Sequence, residues 1–313
     1  MAGFRGETMG FTNHPLPGKV VICCISADGI LFLMPPVPGE AEGAKVDAAC
    51  RLQQNLRMIQ TVLLDISGVL YQGPEAIPGA TEALTRLRSS GLQVRCLTNS
   101  TRQPKHRIMD KLRDLKFEIQ PEEVFTPVAA CLDWLSRTGH SPRLLVHPAL
   151  EEEFSACDRN GPPAVIVGDA AQEFSYENMN RAYRLLQNGA PLIALANNRI
   201  FKDEDGQLSL DAGCFVKALE YATGIRAQLL GKPDPGFFRA AVASTGAAPA
   251  QTAMIGDDAE SDIAGALVAG LAEAYLVRTG KFREGDETRF APEPTDTVSD
   301  VCEAVARLTG LAA

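Results

Sequence analysis

Thr61-Val62-Leu63-Leu64-Asp65-Ile66-Ser67-Gly68-Val69-Leu70 begins as an apolar, partly β-branched run, stops on an acid and passes into a glycine-containing loop. A short uninterrupted apolar run bounded in this way is the pattern of a strand buried on both faces, as in a parallel sheet. Asp65 then stands at the carboxyl end of that strand. Alone it is no more than a turn former or a helix cap.

Downstream, short apolar runs alternate with amphipathic segments, the signature of βαβ units. The predicted strands are Thr61–Leu64, Gln93–Leu97, Ala164–Val167, Leu192–Ala196, Gln228–Leu230, Thr252–Ile255 and Ala274–Val277. Helical periodicity covers Ala80–Ser89, Lys105–Leu115, Tyr176–Gln187, Phe215–Ala222, Gly236–Ser244 and Ser261–Val268. The expected fold is α/β, a doubly wound parallel sheet with helices on both faces. Three strands run into polar residues: Leu64 into Asp65, Leu97 into Thr98-Asn99, and Ile255 into Gly256-Asp257-Asp258. Ligands of open α/β sheets bind outside the carboxyl ends of the strands, so these residues are expected in one crevice. Residues 137–229 carry their own alternation of strands and helices between two of those polar ends and predict an inserted domain, leaving 58–136 and 230–313 as the core.

Composition narrows the function. The 313 residues are 45% hydrophobic and 22% charged, with a formal charge of −9, which supplies no basic field for nucleic acid. The eight cysteines contain no C-x-x-C pair and the four histidines no i, i+4 pair, so neither a disulfide framework nor a zinc site is indicated. The apolar stretch Val20–Met34 is broken by Ser26, Asp28 and Gly29 and is shorter than the roughly 20 residues that span a bilayer. Neither a membrane nor a secretory signal is expected, and the chain is assigned to the cytoplasm. Residues 1–57 hold proline and glycine clusters without sustained periodicity and are expected to form a poorly ordered extension or to reflect an upstream start, with Met58 as the alternative beginning.

Asp65 and Asp257 at neighbouring strand ends would repel unless a cation lay between them, and Mg2+ suits one or two carboxylates plus water and phosphate. Asp258 and Asp262, at i, i+4, share a helix face and would hold ligating waters. Thr98 and Asn99 could donate a hydroxyl and backbone N–H groups to a phosphate, and Lys232, in Gly231-Lys232-Pro233, supplies a compact positive charge. Together they describe a phosphoryl-transfer site with Asp65 as nucleophile. No G-x-G-x-x-G follows the first strand, and Gly231-Lys232 precedes Pro, so neither a dinucleotide fold nor a P-loop fits.

In this order, Asp65-x-Ser67-Gly68, Thr98-Asn99, Gly231-Lys232-Pro233 and Gly256-Asp257-Asp258-x3-Asp262 resemble the motifs of the haloacid dehalogenase-like superfamily. The insert resembles its class II cap. Closer likeness to one class IIA subgroup lies in Leu63–Tyr71, Phe174–Asn180 and Val277-Arg278-Thr279-Gly280-Lys281-Phe282. The resemblance implies a phosphohydrolase with catalytic Asp65, Ser67, Thr98, Asn99 and Lys232, and Mg2+ on Asp65, the Ser67 carbonyl and Asp257. It also implies cap residues Asn197, Arg199 and Asp211 that bind a small phosphorylated substrate, with no nucleic acid or membrane partner; a homodimer is compatible with it. Most phosphatases of the superfamily carry a second Asp where this chain has Ser67, which cannot perform their acid–base step and points to leaving groups that need little protonation. A protein impaired in turnover, binding phosphate or a partner, is the competing reading.

Overall fold

The computed structural model describes residues 23–25, 31–33, 58–202 and 207–310. The chain divides into two compact units, Met1–Asn55 and Leu56–Ala313. In the first, strands β1 (Cys23–Ile25) and β2 (Leu31–Leu33) pair antiparallel, and the rest of the predicted extension lies outside the described residues.

In the second unit the strands are β3 (Thr61–Asp65), β4 (Tyr71–Gln72), β5 (Glu75–Ala76), β6 (Gln93–Leu97), β7 (Val124–Phe125), β8 (Ser141–Leu145), β9 (Pro163–Val167) and β10 (Leu192–Ala194). They continue with β11 (Ile200–Lys202), β12 (Leu208–Leu210), β13 (Gln228–Leu229), β14 (Thr252–Gly256), β15 (Glu273–Val277) and β16 (Asp296–Val298). The helices are α1 (Ala80–Ser89), α2 (Lys105–Asp114), α3 (Pro127–Thr138), α4 (Tyr176–Gln187), α5 (Ala212–Thr223), α6 (Pro235–Ala243), α7 (Gly265–Val268) and α8 (Val301–Leu308). A six-stranded sheet runs β16-β15-β14-β3-β6-β7 and a four-stranded sheet β13-β10-β9-β8; every pairing within them is parallel.

The fold is therefore a doubly wound α/β core with a second α/β sheet inserted in its sequence. The period of two along β3 explains the layering: Val62 and Leu64 pack with Leu84, Leu87, Leu112 and Val305 on one face, and Leu63 with Phe237, Phe238, Met254 and Ile263 on the other. β9 repeats this in the second sheet. Val165 and Val167 meet Leu186 and Leu219, while Ala164 and Ile166 meet Trp134, Leu150 and Phe154.

Predicted and observed elements differ mainly at sheet edges. β7, β8 and β16 were not anticipated, and each is an edge strand with one neighbour. β8 even contains Pro142, tolerable only where one side of the ladder is unpaired. Helix α3 was also missed, although Thr126 caps it by accepting from Ala129 N–H at 3.1 Å. Its Val128, Cys131, Trp134 and Leu135 pack with Ile166, Ile193 and Leu195 of the second sheet, while Ala130 joins the cluster around Leu63. The helix is thus shared by the two sheets, ahead of the boundary expected at residue 137. The predicted helix 261–268 is a π-helical turn, Ala259–Ala264, that continues into α7. Among the described residues no helix is long and apolar enough to cross a membrane.

Candidate active site

Parallel pairing places three predicted residues at adjacent strand ends. β3 pairs with β14 through Leu64↔Ile255 and with β6 through Asp65↔Leu97, so Asp65 lies between Gly256-Asp257 and Thr98. All three of Asp65, Thr98 and Asp257 are buried.

Lys232 crosses to this group from the loop before α6. Its Nζ is 2.5 Å from Asp65 Oδ1 and 2.5 Å from Asp262 Oδ1. Burial alone would lower the lysine pKa, but the two carboxylates more than offset it and hold it above its ordinary value. Asn99 fixes the backbone of this lysine: its Nδ2 donates to the Lys232 carbonyl at 2.8 Å and its Oδ1 accepts from Lys232 N–H at 2.9 Å.

Asp262 spends its other oxygen, Oδ2, on the N–H groups of Asp257 and Asp258, both at 3.2 Å. Burial pushes its carboxyl up to about 6 in spite of Lys232, with Asp65 and Asp258 adding to the rise. Asp257 is less compensated. Oδ2 accepts from Lys281 N–H at 2.8 Å, but Oδ1 is buried without a hydrogen-bond partner. Burial first, then the charges of Asp65 and Asp262, push this carboxyl up to about 8.

These features form a coherent cation site. Carboxylate oxygens of Asp65, Asp257 and Asp262 lie within 4.8 Å of one another, and the Lys232 ammonium bridges two of the three, Asp65 and Asp262. Both oxygens of Asp262 are already engaged, which makes it an orienting group. Oδ1 of Asp257, buried without a partner beside Asp65, leaves this acidic cluster able to hold a metal ion.

The remaining predicted residues take less uniform positions. Ser67 is exposed, in the turn that Gly68 N–H closes on the Tyr71 carbonyl at 2.7 Å. The Thr98 N–H, expected to meet phosphate, donates instead to Phe125 O at 3.3 Å, and the Thr98 hydroxyl oxygen accepts from Ser100 N–H at 3.0 Å. Asp258 caps the following turn through Glu260 and Ser261 N–H groups and meets Lys281 Nζ at 3.5 Å. Asp211 is buried and accepts from Ala212 N–H at 2.6 Å as the cap of α5. Burial raises its pKa, Asp169 adds to the rise, and Asn198 and Lys281 oppose it. Asn197 and Arg199 are exposed at the start of the β11–β12 ribbon, and no hydrogen bond joins them to the Asp65 cluster among the described residues.

Two groups were not foreseen. Thr279, Gly280 and Lys281 follow β15 and touch Gly68 and Asp257, although their segment had carried part of the family likeness. Thr101 and Arg102 join the two sheets: the Thr101 hydroxyl accepts from Asp169 N–H at 2.9 Å, and Arg102 Nε lies 2.5 Å from Asp169 Oδ2. Arg102 also stacks over Phe201, 4.1 Å from its ring centroid. These contacts span large sequence separations and leave no local motif.

A family model described as haloacid dehalogenase-like hydrolase matches residues 62–159, and a second, HAD-hydrolase-like, matches 229–304. Human haloacid dehalogenase-like hydrolase domain-containing protein 2 is 41% identical over 258 residues, 82% of this chain and 96% of its own. Phospholysine phosphohistidine inorganic pyrophosphate phosphatase of Xenopus laevis is 44% identical over 254 residues, 79% of this chain and 93% of its own. Among solved structures, 4-nitrophenylphosphatase from Thermotoga maritima superposes with a TM-score of 0.72 at 26% identity, covering 80% of this chain and 97% of that one.

Proposed function

This chain belongs to the haloacid dehalogenase-like hydrolase family and is a phosphatase of it, and on that premise we propose that it hydrolyses small phosphorylated compounds through an aspartyl-phosphate on Asp65, with Mg2+ as cofactor. The observation that carries the reading is the bridge of Lys232 between Asp65 and Asp262 beside the orphaned Oδ1 of Asp257.

Asp65 attacks phosphorus, its new P–O bond forms as the leaving-group bond breaks, and the leaving group departs with the electron pair. Lys232 holds Asp65 Oδ1 in place and offsets charge in a buried setting where such an interaction is strong. Thr98 offers its O–H proton to a phosphoryl oxygen. Water then attacks phosphorus, breaks the aspartyl P–O bond and releases orthophosphate and a proton. Mg2+, held by Asp65, Asp257 and the Ser67 carbonyl, would supply neutralisation of the phosphoryl oxygens. The second sheet with α4 and α5 would serve as the cap, and Asn197, Arg199 and Asp211 as its substrate-facing residues.

Ser67 shapes the substrate range. A serine hydroxyl cannot protonate a departing alkoxide at neutral pH, so the favoured substrates are pyrophosphate and P–N compounds, whose leaving groups need little help. The name of the Xenopus laevis relative agrees with that range. Acid quench during turnover of pyrophosphate, followed by peptide mapping, should place a hydroxylamine-labile phosphoryl group on Asp65, and Asp65→Asn should abolish both label and turnover. Substantial turnover by Asp65→Asn defeats the mechanism.

A further inference from the structure

Lys281 stands on a loop fastened to the site at three successive residues. Thr279 Oγ1 donates to the Gly68 carbonyl at 2.5 Å, Gly280 packs its Cα against Asp257 and Gly68, and Lys281 N–H donates to Asp257 Oδ2 at 2.8 Å. The backbone of Lys281 is thereby fixed. Its side chain is 62% exposed, and its ammonium lies 3.5 Å from Asp258 Oδ2. An ion pair that exposed and that long contributes little to stability, so it does not account for a lysine held so firmly at this point.

The anchored backbone and the 3.5 Å contact with Asp258 put the ammonium at the edge of the Asp65 cluster, next to Asp257. Lys232 is committed to Asp65 and Asp262, whereas an ammonium carries three donors and Lys281 has a single carboxylate partner among the described residues.

We propose that Lys281 binds the leaving-group end of the substrate and directs the enzyme to diphosphates, whose leaving group is itself a phosphate. The proposal rests on the phosphatase reading above and chooses among its substrates. When Asp65 attacks one phosphorus of pyrophosphate, the aspartyl P–O bond forms as the bridging P–O bond breaks, the departing phosphate takes that electron pair, and the Lys281 ammonium stabilises its negative charge without giving up a proton. A phosphoramidate releases a neutral amine and gains nothing from a second cation.

The test uses the full chain with Mg2+ and the variants Lys281→Met and Lys281→Arg, comparing kcat/KM for pyrophosphate and phosphoramidate. Lys281→Met should lower the pyrophosphate value by about 10- to 100-fold, and the ratio of pyrophosphate to phosphoramidate by about tenfold or more. Lys281→Arg should recover most of that ratio. Methylenediphosphonate, as a competitive inhibitor or by direct calorimetric binding, should weaken in Lys281→Met more than inorganic phosphate does. Equal losses on both substrates, or an unchanged preference for diphosphonate over phosphate, overturns the role of Lys281. A wild-type enzyme that hydrolyses neither substrate overturns the phosphatase mechanism instead, and diphosphonate binding still decides Lys281.

Discussion

Asn99 and Lys232, 133 residues apart, grip each other through two reciprocal hydrogen bonds, the Asn99 amide taking both the N–H and the carbonyl of the lysine backbone. The amide therefore positions Lys232 and is not free to bind phosphate with its side chain. Asn99→Ala should lower kcat by about 10- to 100-fold with a small change in KM, because misplacing a catalytic group by a fraction of an ångström is costly. Steady-state kinetics beside a thermal melt checks this; a pure KM effect would return Asn99 to substrate contact.

That pair illustrates what local sequence carries and what it does not. Asp65 and Asp257 were legible because each ends or follows a strong apolar run, and parallel sheets gather such ends in one crevice, whereas Lys232 follows a strand of the other sheet and was legible through its Gly231-Lys232-Pro233 setting. β7 and β16 were not, being edge strands of two and three residues, nor was β8, an edge strand whose Pro142 and Arg143 interrupt the apolar run. The partner of Asn99, the Arg102–Asp169–Phe201 contact and the place of Lys281 depend on how distant segments dock, so no spacing rule exposes them.

Asp257 makes the metal-free protein sensitive to pH. Its folded pKa near 8 lies above the ordinary carboxylate value of about 4, so between these values the folded state holds a proton that the unfolded state lacks. Stability of the metal-free protein should fall as pH rises from about 5 to 8, Asp262 adding in the same direction up to about 6. Mg2+ should raise Tm more at pH 8 than at pH 6. Asp257→Asn should remove much of the pH slope and most of the Mg2+ shift in differential scanning fluorimetry with and without chelator. A Tm equally responsive to Mg2+ in that variant would take Asp257 out of the cation site.

Gly280 and Gly68 enclose Asp257 Oδ2 so closely that a Cβ on either would fall 2.0 Å from it. Both also have positive φ, 68° and 90°, which strains any side chain. Gly280→Ala should displace Asp257 and the Lys281 loop together, weakening the Mg2+ requirement curve and cutting kcat/KM by about tenfold or more. The melt should move by only about 1–3 kcal/mol of stability, since the change lies outside both hydrophobic layers. Wild-type metal titration in Gly280→Ala would contradict the packing described.

The leaving-group dependence of the reaction turns on Ser67, which lies exposed two residues after Asp65. Expelling an alkoxide from an alkyl phosphate calls for a proton at the departing oxygen, and a group able to deliver it contributes about 10²–10⁴-fold. Pyrophosphate and phosphoramidates escape most of that demand, one by releasing a stabilised phosphate and the other a neutral amine. Ser67→Asp should therefore raise kcat/KM for alkyl phosphates while leaving pyrophosphate and P–N substrates nearly unaffected, which appears as a shallower dependence of log kcat/KM on leaving-group pKa. The same carboxylate would serve as a base toward the water that attacks phosphorylated Asp65, so the covalent species trapped by acid quench should become scarcer in Ser67→Asp. If the native enzyme handles sugar phosphates as fast as pyrophosphate and Ser67→Asp gains nothing, another group supplies the proton and Ser67 does not set the leaving-group preference.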